Sequence, residues 1–159
     1  MNDTPLPPRI FLVVIDETEE MRVALQFAAR RAAHTGGRVA LLHVIEPSDL
    51  KEWMAVETLV REERREEAER LVEKLSAEVK DISGTMPVIH IREGRRSDEL
   101  LALIDEEPSI SILVLAAGTG AEGPGPLVTT LVGKMSGRMR VPITIVPGSL
   151  TDEQIAALA

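Results

Sequence analysis

Short apolar runs alternate with segments of helical periodicity along the whole chain of 159 residues. The runs are continuous and rich in β-branched residues, which is typical of strands buried on both faces. Strands that alternate with helices predict a parallel sheet, wrapped by helices and joined by right-handed crossovers. The five predicted strands are residues 9–16, 38–47, 86–94, 109–117 and 141–148.

The segments between the predicted strands show apolar residues at helical spacing and recognisable ends. Thr18 is predicted to cap the first helix, and the Gly36-Gly37 pair to end it. Residues 49–80 predict a second helix of roughly 48 Å, which is longer than a small sheet can cover, so one end should project or bend. Two further helices are expected, one opened by Ser97, Asp98 and Glu99, the other carrying Val128, Leu131, Val132, Met135 and Met139.

The fifth predicted strand is flanked by Pro142 and Pro147. Proline is tolerated at strand ends and sheet edges, so this strand is expected at an edge. An edge strand presents unpaired backbone donors and acceptors, which pairing with a second copy would satisfy. We therefore expect a homodimer through residues Ile143–Val146.

The tail after the fifth strand has the spacing of a capping box, with Thr151 followed three residues later by Gln154. It predicts a short helix that docks through Ile155 and Leu158. The chain is interpreted as one α/β domain over residues 1–150 with a helical tail over residues 151–159.

Composition and charge argue against several classes of protein. The formal net charge is −8 and no block of Lys and Arg stands apart from acids, so a nucleic-acid surface is not expected. Cysteine is absent, which removes disulfides and thiolate chemistry. No apolar run approaches the roughly 18 residues of a membrane span. No secretory signal is recognised at the start, so a cytoplasmic location is expected.

A glycine-rich loop follows the fourth strand and contains the pattern G-x-G-x-x-G at Gly118, Gly120 and Gly123. A dinucleotide fingerprint is disfavoured because the loop does not follow the first strand and two prolines interrupt it. A Walker P-loop is rejected because position 128 is Val and position 135 is Met. A phosphate cradle of a different kind and a plain turn both stay open.

The histidines and one arginine cluster are the other candidates for chemistry. His43 and His90 lie within predicted strands and are interpreted as satisfied core residues, and no two histidines have metal-ligand spacing. Arg92, Arg95 and Arg96 follow the third strand. They are interpreted either as solvated surface or as an anion-contacting rim above a site.

Several segments, in order, resemble the universal stress protein family: FLVVIDETEEMRVAL, GGRVALLHVIEP, REGRRSDELLALIDE, and ISILVLAAGTG with PITIVPG. The resemblance covers most of the chain. It implies the family fold, an adenine nucleotide alpha hydrolase-like α/β sheet of five parallel strands in the order 3-2-1-4-5, with helices on both faces. It also implies dimerisation through the last strand and, as in many members, binding of ATP or AMP.

Nucleotide-binding members carry G-x2-G-x9-G-[ST] after the fourth strand. By resemblance, Asp16 corresponds to the aspartate near base and ribose, and Val44 to an apolar residue near the adenine. Gly120 corresponds to the second glycine and Thr130 to the hydroxyl residue at the phosphates. The chain departs from the motif, with Ala117 and Thr129 at the positions of the first and third glycines and Glu17 in place of a small residue. The amides of Gly118 to Gly120 and the hydroxyls of Thr129 and Thr130 are the expected phosphate ligands.

Three functions are weighed. The first is a nucleotide-responsive binding protein of the universal stress type, without catalytic turnover. The second is a homodimeric signalling or structural protein of the same fold that binds no nucleotide. The third is a slow ATPase, which is disfavoured because no general base or metal-ligand cluster is recognisable near the loop.

Overall fold

The computed structural model describes residues 4–47 and 54–159. Its strands are β1 (Ile10–Ile15), β2 (Arg38–Ile45), β3 (Val88–Glu93), β4 (Ile110–Ala117) and β5 (Ile143–Pro147). Its helices are α1 (Met21–Thr35), α2 (Met54–Ser83), α3 (Arg96–Glu106), α4 (Pro126–Val132) and α5 (Asp152–Leu158). The strands form one parallel sheet in the order β3-β2-β1-β4-β5. The predicted five-stranded α/β fold and its strand order are confirmed.

The core has two halves, one on each face of the sheet. Alternate residues of β1 point to opposite faces, so Phe11, Val13 and Ile15 pack under α1 and α2, whereas Leu12 and Val14 pack under α3 and α4. Nearly all of the buried side chains are aliphatic. Each half is a continuous apolar cluster, and together they fix the carboxyl ends of the strands at one rim.

The first helix begins later than expected. Thr18 is not its N-cap, because both the amide and the hydroxyl of Thr18 donate to Oδ1 of Asp16. The helix starts at Met21, and Glu20 at the N-cap position makes no side-chain capping bond. A short polar side chain that bonds to a neighbouring turn is no longer available to cap a helix.

The helix after the glycine loop is shorter than its apolar spacing predicts. α4 ends at Val132, and a short 3-10 helix follows at residues Ser136–Arg138. Met135 and Met139 therefore lie outside α4, although both pack against the α3 and α4 half of the core. Gly133, a poor helix former, directly follows the last helical residue.

α2 is far longer than the strand it covers. Its 30 residues span about 45 Å, whereas the 8 residues of β2 span about 26 Å. No side chain from residue 58 to residue 67 is buried, and Ala68 is the first one beyond them that is. The amino-terminal half of α2 thus stands beyond the carboxyl ends of the strands, as expected of an over-long helix. The predicted start at residue 49 and Trp53 lie outside the described residues.

The predicted edge position of β5 and the predicted helix of the tail can both be compared with the structure. β5 lies at one edge, as predicted, and β3 at the other, which leaves His90 only half-buried. The capping box at Thr151 is confirmed, with reciprocal bonds to Gln154 of 3.2 and 2.9 Å. Ile155 is fully buried, but Leu158 is 63% exposed, so its predicted docking role is wrong.

Candidate functional site

The carboxyl ends of β1 and β4 border the point where strand order reverses. From β1 the chain continues to β2 on one side, and β4 lies on the other. Loops leave such a point in opposite directions and open a crevice between the two strands. Asp16 follows β1 at this crevice, and the glycine-rich loop, residues 118–125, follows β4.

A small cavity of about 90 Å³ occupies this crevice. The loop after β1 contributes Asp16, Thr18 and Glu20, and residues 124–128 form the opposite wall. Two of the predicted elements, the loop after β1 and the start of α4, therefore meet here. The volume is small compared with the roughly 300–1,000 Å³ of small-molecule sites.

Two larger cavities flank the crevice, and both have the size of a small-molecule site. The base cavity, as we name it, has about 500 Å³ and lies between the ends of β1 and β2 and the wall of α2, with Asp16, His43, Val44 and Leu71 in its lining. The rim cavity has about 420 Å³ and lies between the loop after β3 and α4, with Glu46 and Thr130 in its lining. Asp16 and Val44, predicted from resemblance, thus share one cavity, and Thr130 borders the next.

Arg96 is common to all three cavities. It is the first residue of α3, and its backbone N–H donates to Oε1 of Glu46 at 3.3 Å. Its side chain is half-buried, and the Nε atom is buried without a hydrogen-bond partner among the described residues. A buried guanidinium N–H without an acceptor is costly, so this side chain is poised to gain from one.

The other two arginines of the cluster are engaged differently. Arg92 forms ion pairs with Glu106 and Glu99, and these, foremost its hydrogen bond to Glu106, raise the pKa of its guanidinium. The Arg95 side chain is 85% exposed and lies 4.0 Å from Asp98. Of the predicted anion-contacting rim, Arg96 is the member that enters the crevice, and Arg95 borders the rim cavity.

Asp16 is held by a local turn that leaves part of its carboxylate available. Oδ1 accepts from the Thr18 amide at 2.8 Å and from the Thr18 hydroxyl. Within the described part of the chain, no residue donates a hydrogen bond to Oδ2. The turn therefore fixes the carboxylate at the mouth of the crevice and leaves one oxygen free to accept a bond from a ligand.

Some of the backbone amides of the glycine-rich loop donate hydrogen bonds within the loop itself. The Gly118 amide donates to the Pro124 carbonyl at 3.0 Å, and the Gly123 amide to the Gly120 carbonyl at 3.2 Å. The Glu20 carboxylate crowds Gly118, because a Cβ there would lie 3.1 Å from Glu20 Oε1. The expected phosphate donor at Gly118 is thus already engaged and faces an acid.

Four of the predicted site residues lie away from the cavities. Ala117, Gly118, Gly120 and Thr129 line none of the three, and Gly120 and Thr129 are exposed. Conversely, Glu20, Arg64 and Leu71 line cavities and were not predicted. The position of Arg64 depends on how α2 crosses the sheet, which no local sequence pattern reports.

His43 differs from the satisfied core residue that was expected. Its ring borders the base cavity, and Nδ1 is buried without a partner among the described residues. Burial lowers the pKa of His43 below its usual 6.5, and the Arg96 charge acts in the same direction. The Ile15 backbone carbonyl, Glu17 and Asp16 oppose that shift. Burial likewise lowers the pKa of His90.

The depressed pKa of His43 predicts a loss of stability in acid. The unfolded chain takes up this proton near pH 6.5, whereas the folded protein resists it. The free energy of unfolding should therefore fall as pH drops below about 6.5, until the lower folded pKa is passed. Urea titrations of the wild type and His43→Gln at about pH 8 and about pH 5 check this, with exposed His34→Gln as control. An equal pH dependence in wild type and His43→Gln would contradict it.

Over residues 4–47 and 54–159, no group of three or more His, Cys, Asp or Glu side chains is arranged to hold a metal ion. Among the described helices, none is long and apolar enough to cross a membrane.

Comparisons with known proteins define the family. The model of the universal stress protein family matches residues 8–146. The universal stress protein UspA from Lactobacillus plantarum superimposes with a TM-score of 0.72 at 16% identity, covering 87% of this chain and 97% of that one. A universal stress protein in complex with cAMP gives 0.60 at 16% identity, covering 89% and 98%. One from Archaeoglobus fulgidus in complex with dAMP gives 0.58 at 15% identity, covering 87% and 97%.

No curated protein matches the sequence. At these identities the solved structures establish the fold alone, whereas the family model covers most of the chain. The chain belongs to the universal stress protein family.

Proposed function

We propose that this protein binds an adenine nucleotide, AMP or ATP, and acts as a regulatory binding module in a stress response. The observation that carries the proposal is the shared lining of the base cavity by Asp16 and Val44, beside the crevice at the strand-order reversal. Ligands of open parallel sheets bind at this position. Two proteins of the same fold are known in complex with cAMP and dAMP.

The residues of the base cavity suit a nucleoside. Ala68 and Leu71 of α2 supply an apolar wall, and Val44 borders the cavity at the end of β2, with its own side chain packed at 2% exposure in the α3 and α4 half of the core. The free oxygen of Asp16 can accept a bond from a sugar hydroxyl or from an exocyclic amino group. A flat apolar base with polar edges matches such a lining.

The phosphate end of the ligand would lie toward the rim cavity and the start of α4. Thr130 borders that cavity and offers a hydroxyl donor, and Arg96 offers a guanidinium. The glycine-rich loop contributes less than in a motif-bearing member, because Gly118 is engaged with Pro124. The proposed site residues are therefore Asp16, Val44 and Thr130, with Ala117, Gly118, Gly120 and Thr129 as outer members of the phosphate loop.

Two measurements test the proposal. Purified protein is denatured and the supernatant is assayed for adenine nucleotide, and the emptied, refolded protein is then titrated calorimetrically with AMP, ATP and GMP. Binding of AMP or ATP at micromolar concentration, with GMP weaker, is the expected result. Silence with all three ligands would overturn the proposal.

A second candidate function, a homodimeric protein of this fold without a nucleotide, is favoured by the glycine-rich loop. Its internal hydrogen bonds and the Glu20 carboxylate beside Gly118 both oppose an anion at this position. Calorimetric silence together with a dimer in solution would select it. A slow ATPase would be selected instead by phosphate release that disappears in an Asp16→Ala, Thr130→Ala double variant.

We also propose that two copies of the chain pair through the edge strand β5, residues Ile143–Val146. Ile145 on this strand is 40% exposed, and Val132 at the end of α4 is 48% exposed. Sedimentation velocity at micromolar protein should therefore give a dimer. Ile145→Lys should shift the distribution toward monomer, because a charge would be buried at the centre of the interface. A wild-type protein that sediments only as monomer would contradict this.

A further inference from the structure

The charges around the three cavities are unequal in number. Among the described residues, five acids line them, namely Asp16, Glu17, Glu20, Glu46 and Glu67, against three arginines, Arg64, Arg95 and Arg96. A ligand with several negative charges would meet net repulsion in such a crevice, whereas a ligand with one phosphate needs only one well-placed cation. The lining therefore favours a ligand with few charges.

Arg96 is the cation in the best position to meet that ligand. Arg64 donates through Nη1 to the Glu46 backbone carbonyl at 3.2 Å, and Arg95 is largely exposed. Arg96 borders all three cavities, and its buried Nε has no acceptor among the described residues. A phosphate oxygen is an acceptor that matches the fork of a guanidinium.

We propose that the site selects nucleoside monophosphates over triphosphates and that Arg96 is the residue that contacts the phosphate. The inference rests on the proposed nucleotide-binding function and deepens it. The selection has two parts. Arg96 supplies the attraction for one phosphate from α3, and the acids Glu20 and Glu17 oppose the further charges that the degenerate loop after β4 does not neutralise.

The test is a matrix of calorimetric titrations. Wild type, Arg96→Gln, Arg96→Lys and the control Arg70→Gln are each titrated with adenosine, AMP and ATP at one fixed salt concentration without Mg²⁺. Arg70 lies on the exposed face of α2, so its replacement changes the net charge equally without altering the cavities. Thermal unfolding establishes that each variant is folded.

Wild type should bind AMP about ten- to a hundredfold more tightly than adenosine, because a charged hydrogen-bonded contact is gained. It should bind ATP more weakly than AMP. Arg96→Gln should abolish the advantage of AMP over adenosine while leaving adenosine affinity within about threefold, and Arg96→Lys should keep part of it. Arg70→Gln should behave as wild type.

The possible failures are separable. If wild type binds neither adenosine nor any nucleotide, the proposed function fails and this inference fails with it. If AMP binds and Arg96→Gln keeps the full advantage of the phosphate, the role of Arg96 alone is overturned. Tighter binding of adenosine to Arg96→Gln would mean that the side chain blocks the crevice, which also overturns it. If Arg96→Gln does not fold, Arg96→Lys is the deciding variant, and a ratio of AMP to adenosine affinity unchanged from wild type overturns the role of Arg96. Tighter binding of ATP than of AMP to the wild type refutes the selection of monophosphates.

Discussion

Replacing Leu41 with alanine is expected to lower the free energy of unfolding by about 2–5 kcal/mol. Leu41 is fully buried on β2, in the half of the core that α1 and α2 cover. Removing its branched end loses apolar burial and leaves a cavity that the rigid strand cannot close. Urea titration of both proteins at neutral pH measures the difference.

Two control variants, Leu59→Ala and Leu41→Met, separate the effect of burial from that of the substitution itself. Leu59→Ala makes the same chemical change on the projecting half of α2, where Leu59 is 59% exposed, and should alter stability by less than about 0.5 kcal/mol. Leu41→Met conserves volume and should cost less than about 1.5 kcal/mol. If Leu41→Ala lowered the free energy of unfolding as little as Leu59→Ala, Leu41 would not be buried beneath α1 and α2.

Replacing Asp16 with asparagine is expected to weaken AMP binding about ten- to a hundredfold, the size of a charge-assisted hydrogen bond. The substitution keeps the shape of the side chain, and the amide oxygen can still accept from the Thr18 backbone N–H. It replaces the free Oδ2 with a donor, so a sugar hydroxyl or base amino group loses its acceptor. Calorimetric titration with AMP measures the change.

Glu19→Gln is the matched control for Asp16→Asn. Glu19 is exposed, belongs to the same loop after β1 and lines none of the three cavities, so its loss removes one negative charge without removing a contact. AMP affinity should stay within about twofold of wild type, since exposed charges are screened by solvent and salt. Tighter AMP binding in Asp16→Asn would indicate that Asp16 only repels the phosphate, contrary to its proposed role.

The sheet could be anticipated because hydrophobic periodicity reports directly which residues are buried. Short continuous apolar runs rich in β-branched residues, such as residues 9–16 and 109–117, are typical of strands covered on both faces, and strands form in both segments. The order of strands does not follow from periodicity and came from family resemblance. The edge position of β5 followed from its two prolines, which lack the N–H that a central strand needs.

The predicted start of α1 and end of α4 were wrong where a side chain had two possible sets of contacts. Thr18 has the chemistry of a helix cap, but Asp16 two residues earlier captures its hydroxyl. Met135 and Met139 continue the apolar spacing of α4, yet they pack against the core without being helical. In both cases tertiary or turn contacts decide between local alternatives of similar energy.

For the candidate site, the sequence predicted residues at the strand ends and not the residues that form the cavity walls. Asp16 and Val44 were predicted by family resemblance, and the fold brings them to one rim because parallel strands have their carboxyl ends on the same side of the sheet. Arg96 belongs to a cluster whose simplest interpretation from sequence is solvated surface, and only the packing of α3 separates it from Arg92 and Arg95. Glu20 and the Gly118–Pro124 bond depend on the folded path of the glycine-rich loop.

The two halves of the over-long helix α2 differ in local stability. From Ala68 onward it is anchored by buried side chains such as Leu75 and Val79, whereas residues 58–67 before it are tied by surface contacts, including Arg61 to Glu93 at 3.2 Å. Ties of this kind contribute little and weaken with salt. Opening of this weakly held half thus costs far less than global unfolding, and the part of the base-cavity wall formed by Arg64 and Glu67 can loosen while the sheet beneath it stays intact.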